Sequence, residues 1–139
     1  MADVTITAAD VRPLPGCIIR RFVAGGTISV GEPVYLSAAD TVSRADADAT
    51  STSFAIGVMV AVMNPATAGQ AASGEYVDVV LKGPVAGYST NMAHNILLYV
   101  DDDAGVISTA TGTRTTVIGT GLSASVLMVS PDWVTLSDA

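Results

Sequence analysis

One cysteine, one histidine and thirteen acidic residues are the side chains with which this 139-residue chain could do covalent, acid–base or metal chemistry. Nucleophilic catalysis needs a base beside the nucleophile. Cys17 lies in an apolar Cys-Ile-Ile run and reads as a small buried hydrophobe. His94 follows a possible capped turn and reads as a surface or capping residue. Neither sits in a recognisable motif, so no catalytic residue is assigned. Asp101-Asp102-Asp103 beside Gly105 is the densest charge cluster, and calcium takes six to eight oxygen ligands. The cluster lacks the alternating acids and closing glutamate of a helix-loop-helix calcium site, and it reads as a solvated hairpin turn. Asp46-Ala47-Asp48 is a weaker version of the same feature. A carboxylate pair for glycoside hydrolysis carries no specificity among thirteen acids. Gly25-Gly26 and Gly119-Thr120-Gly121 are turn glycines in a β context, not phosphate loops opening a helix. The expectation is therefore a protein that is not an enzyme and that holds no metal and no cofactor.

The net charge is −7. Arg12, Arg20, Arg21, Arg44, Lys82 and Arg114 form no stripe beyond the Arg20-Arg21 pair, which disfavours nucleic acid as a partner. Charged residues make up 14% of the chain, against a usual ~25%. Two readings fit: a Ser/Thr/Ala-rich β surface, or a surface largely covered in an assembly. A lone cysteine cannot form an internal disulfide. The first residues lack a basic region followed by an apolar run, so no secretory leader is expected. The longest apolar stretch, Phe54 to Met63, holds ten residues and is too short for a membrane helix. No membrane partner is expected.

The elements that carry these residues are short and repeat. Val23-Ala24-Gly25, Val34-Tyr35-Leu36 and Ile56-Gly57-Val58 have counterparts at Val85-Ala86-Gly87, Leu98-Tyr99-Val100 and Ile118-Gly119-Thr120, 62 to 64 residues later. Turns at Ala38 to Asp40 and at Asp101 to Gly105 split a hairpin in each copy. Alternation and β-branched residues predict strands over Cys17 to Ala24, Val34 to Ser37, Phe54 to Met63, Glu75 to Leu81, Ile96 to Val100, Thr115 to Gly119 and Ser125 to Val129. Lys82-Gly83-Pro84 predicts a break, and Thr90 to Asn95 predicts one helical turn. Residues 1–16 read as an extended arm with no early partner, 17–130 as a single β domain with pseudo-repeats over about 17–82 and 83–130, and 131–139 as a tail. In the tail, Trp133 to Leu136 would clamp an edge or a neighbour. The fold class is all-β: a small antiparallel β-barrel or sandwich built from an internal duplication, with an extended N-terminal arm. With few aromatics, its core should be thin and filled by Ala and Val.

A second line comes from resemblance. The ensemble Ala2-Asp3-Val4-Thr5-Ile6-Thr7, Arg20-Arg21, Ala24-Gly25, Thr27 to Leu36 and Arg44-Ala45-Asp46-Ala47 resembles small bacteriophage virion proteins described as capsid decoration (cement) or head-fibre proteins. Ile56 to Val58, Leu98 to Val100, Ile118-Gly119, Leu122-Ser123-Ala124 and Val126 to Val129 extend the likeness over about residues 2 to 130. Its motifs are structural rather than catalytic.

The resemblance implies a structural virion protein, made in the host cytoplasm. It would bind the outer capsid surface as a homotrimer, contact the major capsid protein and bridge capsomers. The N-terminal arm would be the attachment strand, with Val4, Thr5, Ile6, Thr7 and Val11 as the capsid-binding residues. Deleting residues 1 to 12 would then abolish attachment without unfolding the body. The alternative is a head-fibre or tail adhesion module binding host-surface glycans, for which Tyr88 and Trp133 are the candidate aromatic platform.

Overall fold

The computed structural model describes residues 3–131; the proposed clamp at Trp133 to Leu136 lies outside the described residues. The chain is all-β. In chain order its strands are β1 (Thr5–Ile6), β2 (Arg12–Pro13), β3 (Ile18–Ala24), β4 (Ile28–Ser29), β5 (Pro33–Ala38), β6 (Thr41–Arg44) and β7 (Ala55–Val62). There follow β8 (Gln70–Ala71), β9 (Tyr76–Ala86), β10 (Tyr88–Ser89), β11 (Leu97–Val100), β12 (Ile107–Ser108), β13 (Val117–Gly121) and β14 (Val126–Val129). Among the described residues helix is limited to 3₁₀ turns at Ala8–Asp10 and Thr50–Thr52.

Strands β9, β3, β6, β5 and β7 pair in that order, and β7 pairs back onto β9, closing a five-stranded barrel. The run Ala55 to Val60 is buried throughout because β7 serves two cores. Ile56 and Met59 fill the barrel with Phe22, Ile28, Val34, Val42, Val77 and Val79. Ala55, Val58 and Val60 face a second cluster with Val80, Val85, Leu98, Val100, Ile107, Ile118 and Leu127. A strand buried on both faces shows continuous rather than alternating hydrophobicity. Each fully buried Val, Ile or Leu contributes about 1.5–3 kcal/mol.

The internal duplication is visible in the pairing. In the first unit β5 lies between β6 and β7; in the second β11 lies between β12 and β13. Pro33↔Val58, Val34↔Gly57 and Tyr35↔Ala55 match Leu97↔Thr120, Leu98↔Gly119 and Tyr99↔Val117, with a register shift at the same step in each copy. The match continues outward. Val58↔Val80 and Met59↔Val79 correspond to Thr120↔Met128 and Gly121↔Leu127.

The predicted break at Lys82-Gly83-Pro84 is not there. β9 runs unbroken from the barrel, where it pairs β3 and β7, into the second unit, where residues 83–86 pair β14. On its other side the neighbour changes from β3 at Lys82 to β2 at Val85. Pro84 sits at that change, and its carbonyl accepts from the Leu14 N–H. A missing N–H there breaks no continuous ladder. The helical turn over 90–95 is also corrected: Thr90, Asn91 and Asn95 have φ of +49°, +65° and +62°, which no right-handed turn permits.

Equivalent glycines sit at a very close approach in each unit. A Cβ on Gly57 would lie 2.0 Å from the Val80 carbonyl oxygen, and one on Gly119 would lie 1.9 Å from that of Met128. Neither backbone oxygen can yield without moving its strand. Gly57→Ala and Gly119→Ala should each lower stability by at least ~1–3 kcal/mol in urea melts. Gly26→Ala, with open space around it, should change it by under ~0.5 kcal/mol.

Candidate interaction surface

The residues with reactive chemistry are kept apart. Cys17 is half-buried just before β3, and its thiol donates to the Pro84 carbonyl at 3.0 Å. Desolvation raises its pKa, against a smaller lowering by the Leu14 backbone bond. His94 is exposed in the 90–95 turn, with no hydrogen bond to Cys17.

The acidic loop is organised by its own chain. Asp102 accepts from the Thr113 N–H at 2.7 Å and from its hydroxyl at 2.9 Å. Asp101 is buried and accepts from the Asp103 N–H at 3.2 Å. Its other carboxylate oxygen and the Thr116 hydroxyl are buried without a partner, a local cost of about 1–3 kcal/mol each. Asp46 takes the Thr52 hydroxyl. Asp48 has a raised pKa because it hydrogen-bonds Asp46 and feels its charge, with smaller contributions from burial and from Asp102 and Asp103. Among the described residues no group of three or more His, Cys, Asp or Glu is placed to hold a metal ion. The loop instead joins the two units: Ala47 N–H bonds the Asp101 carbonyl, and Gly105 N–H bonds that of Ala45. Nearby, Arg44 Nε meets Glu32 Oε1 at 2.8 Å, and the same oxygen accepts from Ser29 N–H at 2.7 Å.

The five residues read as an attachment strand have partners in their own chain. β1 pairs β10, with Thr5↔Ser89 and Ile6↔Tyr88. Val4 is buried, and its N–H bonds the Ile107 carbonyl at 2.8 Å. Ile6 and Val11 pack on the second cluster, while Thr5 and Thr7 are exposed. Gly87, at φ +116°, makes room for Val11, whose Cα would lie 2.6 Å from a Cβ there. The first unit closes its barrel by pairing β3 with β6. Among the described residues the second unit shows no such pairing, and the N-terminal segment lies in its place, with Asp3 bridging Ser108 of β12 and β2 pairing β9. The arm has no early partner, and its partners in its own chain lie about 80 to 105 residues downstream. Removing residues 1–12 would uncover core, so a deletion that leaves the body intact is not expected.

Tyr88 does not offer an aromatic platform. It is 2% exposed, and its hydroxyl donates to the Gly31 carbonyl at 2.8 Å. Trp133, the other half of that platform, is beyond residue 131.

Exposed apolar side chains mark the outer surface instead. Ile18, Ile19, Leu36, Phe54 and Tyr76 are exposed on the barrel, and Leu97 and Leu122 on the second unit. A register shift between Ile18 and Ile19 puts two consecutive isoleucines in solvent. Composition alone did not single these residues out; the interrupted alternation at Ile18-Ile19 was the available signal. Leu36 and Phe54 line an apolar groove of about 450 Å³ with Phe22, Tyr35, Ile56 and Leu81. At its edge, Arg20 lies 5.0 Å from the Phe22 ring centre and pairs with Asp40 at 2.8 Å. No family model matches the sequence, and no curated protein matches it.

Burial drives the Tyr88 pKa far above its ordinary value. In the unfolded chain the phenol ionises near pH ~10. Above that pH the folded state holds a proton the unfolded state has lost, so stability falls as pH rises. Tyr88→Phe should lose about 1–3 kcal/mol at pH 7 with the bond to Gly31. Between pH ~9 and ~11 its stability should decline less steeply than that of the parent in denaturant titrations.

Proposed function

We propose that this chain is a structural virion protein that binds the outer surface of a phage capsid as a homotrimer and stabilises it by bridging capsomers. The observation that carries this reading is the distribution of exposed large apolar side chains over both units: Ile19 and Tyr76 on the barrel, Leu97 and Leu122 on the second unit. A bridging part needs at least two contact regions, one for its own copies and one for the shell. Burying one such side chain contributes about 1.5–3 kcal/mol, and three copies in one particle multiply weak contacts through effective concentration. The low charge density supports contacts of this kind. So does the resemblance to decoration proteins.

The first segment has a narrower role than a free arm. Attachment through Val4, Thr5, Ile6, Thr7 and Val11 would require it to leave β10 and β12. The preformed apolar surface requires no such exchange and is the primary contact in this proposal.

Light scattering and sedimentation with undecorated capsids test the reading. The protein should be a trimer that co-sediments, and binding should persist in ~0.5 M salt, where exposed ion pairs are screened. Of Ile19→Asp and Leu122→Asp, one should dissociate the trimer. The other should leave the trimer intact and weaken capsid binding at least ~10-fold. A monomer that stays in the supernatant, or two variants that bind like the parent, would defeat the proposal.

A further inference from the structure

The duplication puts one sheet face into two different settings. Tyr35, Ala55, Val58 and Val80 of the first unit correspond by strand register to Tyr99, Val117, Thr120 and Met128 of the second. Val60 and Leu122 extend the match, each standing two residues after Val58 and Thr120. In the first unit this face is covered. Ala55, Val58, Val60 and Val80 are buried in the cluster between the units, and Tyr35 packs against it. The same cluster holds Leu98, Val100, Ile107 and Ile118, which line the inner face of the second unit's sheet.

In the second unit the corresponding face has no such cover among the described residues. None of Tyr99, Val117, Leu122 and Met128 belongs to either hydrophobic cluster. Leu97 is 52% exposed and Leu122 49%. Leu97, Thr120, Met128 and Pro84 stand opposite one another on β11, β13, β14 and β9, so they form one row across the sheet. Leu122 lies two residues beyond Thr120, on the same side.

Charge separates this face from the barrel. None of its side chains is acidic or basic. The chain carries a net charge of −7, so two copies repel each other least where they meet without carboxylates. On the barrel, the exposed Ile19 and Tyr76 stand among ion pairs, Arg20 with Asp40 at 2.8 Å and Arg21 with Asp78 at 3.0 Å. The buried centre of a lasting interface is depleted of charge, and charged groups belong to its rim.

We infer that a second copy of this chain covers the outer face of the second unit, with the copies gathered about a symmetry axis and this face turned inward. The neighbour does not repeat the packing between the two units, because the inner face that covers the first unit is already filled in every copy. It contributes its own uncharged face, which symmetry brings to the same axis. This contact rests on the homotrimer proposed above and gives that trimer its surface. The barrel face with Ile19 and Tyr76 is left for the shell.

Light scattering on the free protein tests the contact, with co-sedimentation on undecorated capsids read separately. The parent should associate, and association should tighten as salt rises to ~0.5 M, because repulsion between like-charged copies is screened. Leu97→Asp and Leu122→Asp change exposed side chains and should keep the parent's far-ultraviolet circular dichroism. Each should weaken association at least ~10-fold. Thr120→Glu, in the middle of the row, replaces a side chain that is already polar and gives the same readout where an aspartate variant loses its dichroism. Leu122→Met keeps the apolar surface and should associate like the parent, and so should Tyr76→Asp. A parent that stays monomeric would overturn the inference. Association that survives Leu97→Asp and Leu122→Asp but is lost in Tyr76→Asp would also overturn it, while leaving the virion reading standing. Variants that dissociate as expected, with a parent that ignores capsids, would uphold this contact and defeat the virion reading.

Discussion

A single strand holds the two halves of this protein together. Tyr76–Ala86 contributes its first part to a closed barrel and its last residues to the sheet of the second unit. A strand is stiff along its length, so the barrel and the second unit cannot tilt independently while both ladders are made. The second hydrophobic cluster is built across this joint, with Val80 and Val85 of the shared strand among its members. The Asp101–Gly105 loop adds a further tie by bonding Ala45 and Ala47. These ties are made by main-chain groups, while the Asp102 carboxylate braces the loop by accepting from Thr113.

Close strand approach explains much of the composition. Gly57 and Gly119 leave no space for even a methyl group against the next strand's carbonyl. A core drawn this tight is filled by valine, alanine and isoleucine, with Phe22, Met59 and Tyr88 as its larger members. Small core side chains leave the larger apolar residues elsewhere, and several of them stand on the surface. Isolated exposed leucines are ordinary. Two consecutive isoleucines, a tyrosine and a phenylalanine are exposed on one barrel in a chain with few charges, and they form the surface on which the proposed contacts rest.

Local pattern revealed the strands and the duplication because both rest on nearby residues. The offset between Ile56-Gly57 and Ile118-Gly119 carried the register, and the bulge came with it. The strand was legible from the unbroken apolar run of Phe54 to Met63, of which the part from Ala55 to Val60 is buried throughout. What failed was long-range. Nothing near Val4 or Ile6 shows that their partners lie at Tyr88–Ser89 and Ile107. Tyr88 looked like a loop aromatic because its acceptor, Gly31, is 57 residues away. Pro84 looked like a strand break because proline usually is one; only the change of neighbour from β3 to β2 makes it harmless. The left-handed Thr90 and Asn91 were hidden for another reason, since residues of these types cap helices as readily as they make turns. The exposed apolar surface could not be listed in advance, since which of two alternating faces meets water depends on a register shift at Ile18-Ile19.

The most direct measurement is amide hydrogen exchange on the free protein and on the protein mixed with undecorated capsids. A preformed scaffold that binds through its apolar surface should keep the slow exchange of β9 and its partners in both states. It should gain protection around Ile19 and Tyr76 or around Leu97 and Leu122, while the amides of Val4 and Thr7, which bond Ile107 and Gly87, stay protected throughout. Unchanged exchange everywhere on adding capsids would contradict capsid binding. Loss of protection at Val4 and Thr7 on binding would contradict a rigid scaffold and show that the first segment leaves its own body to attach.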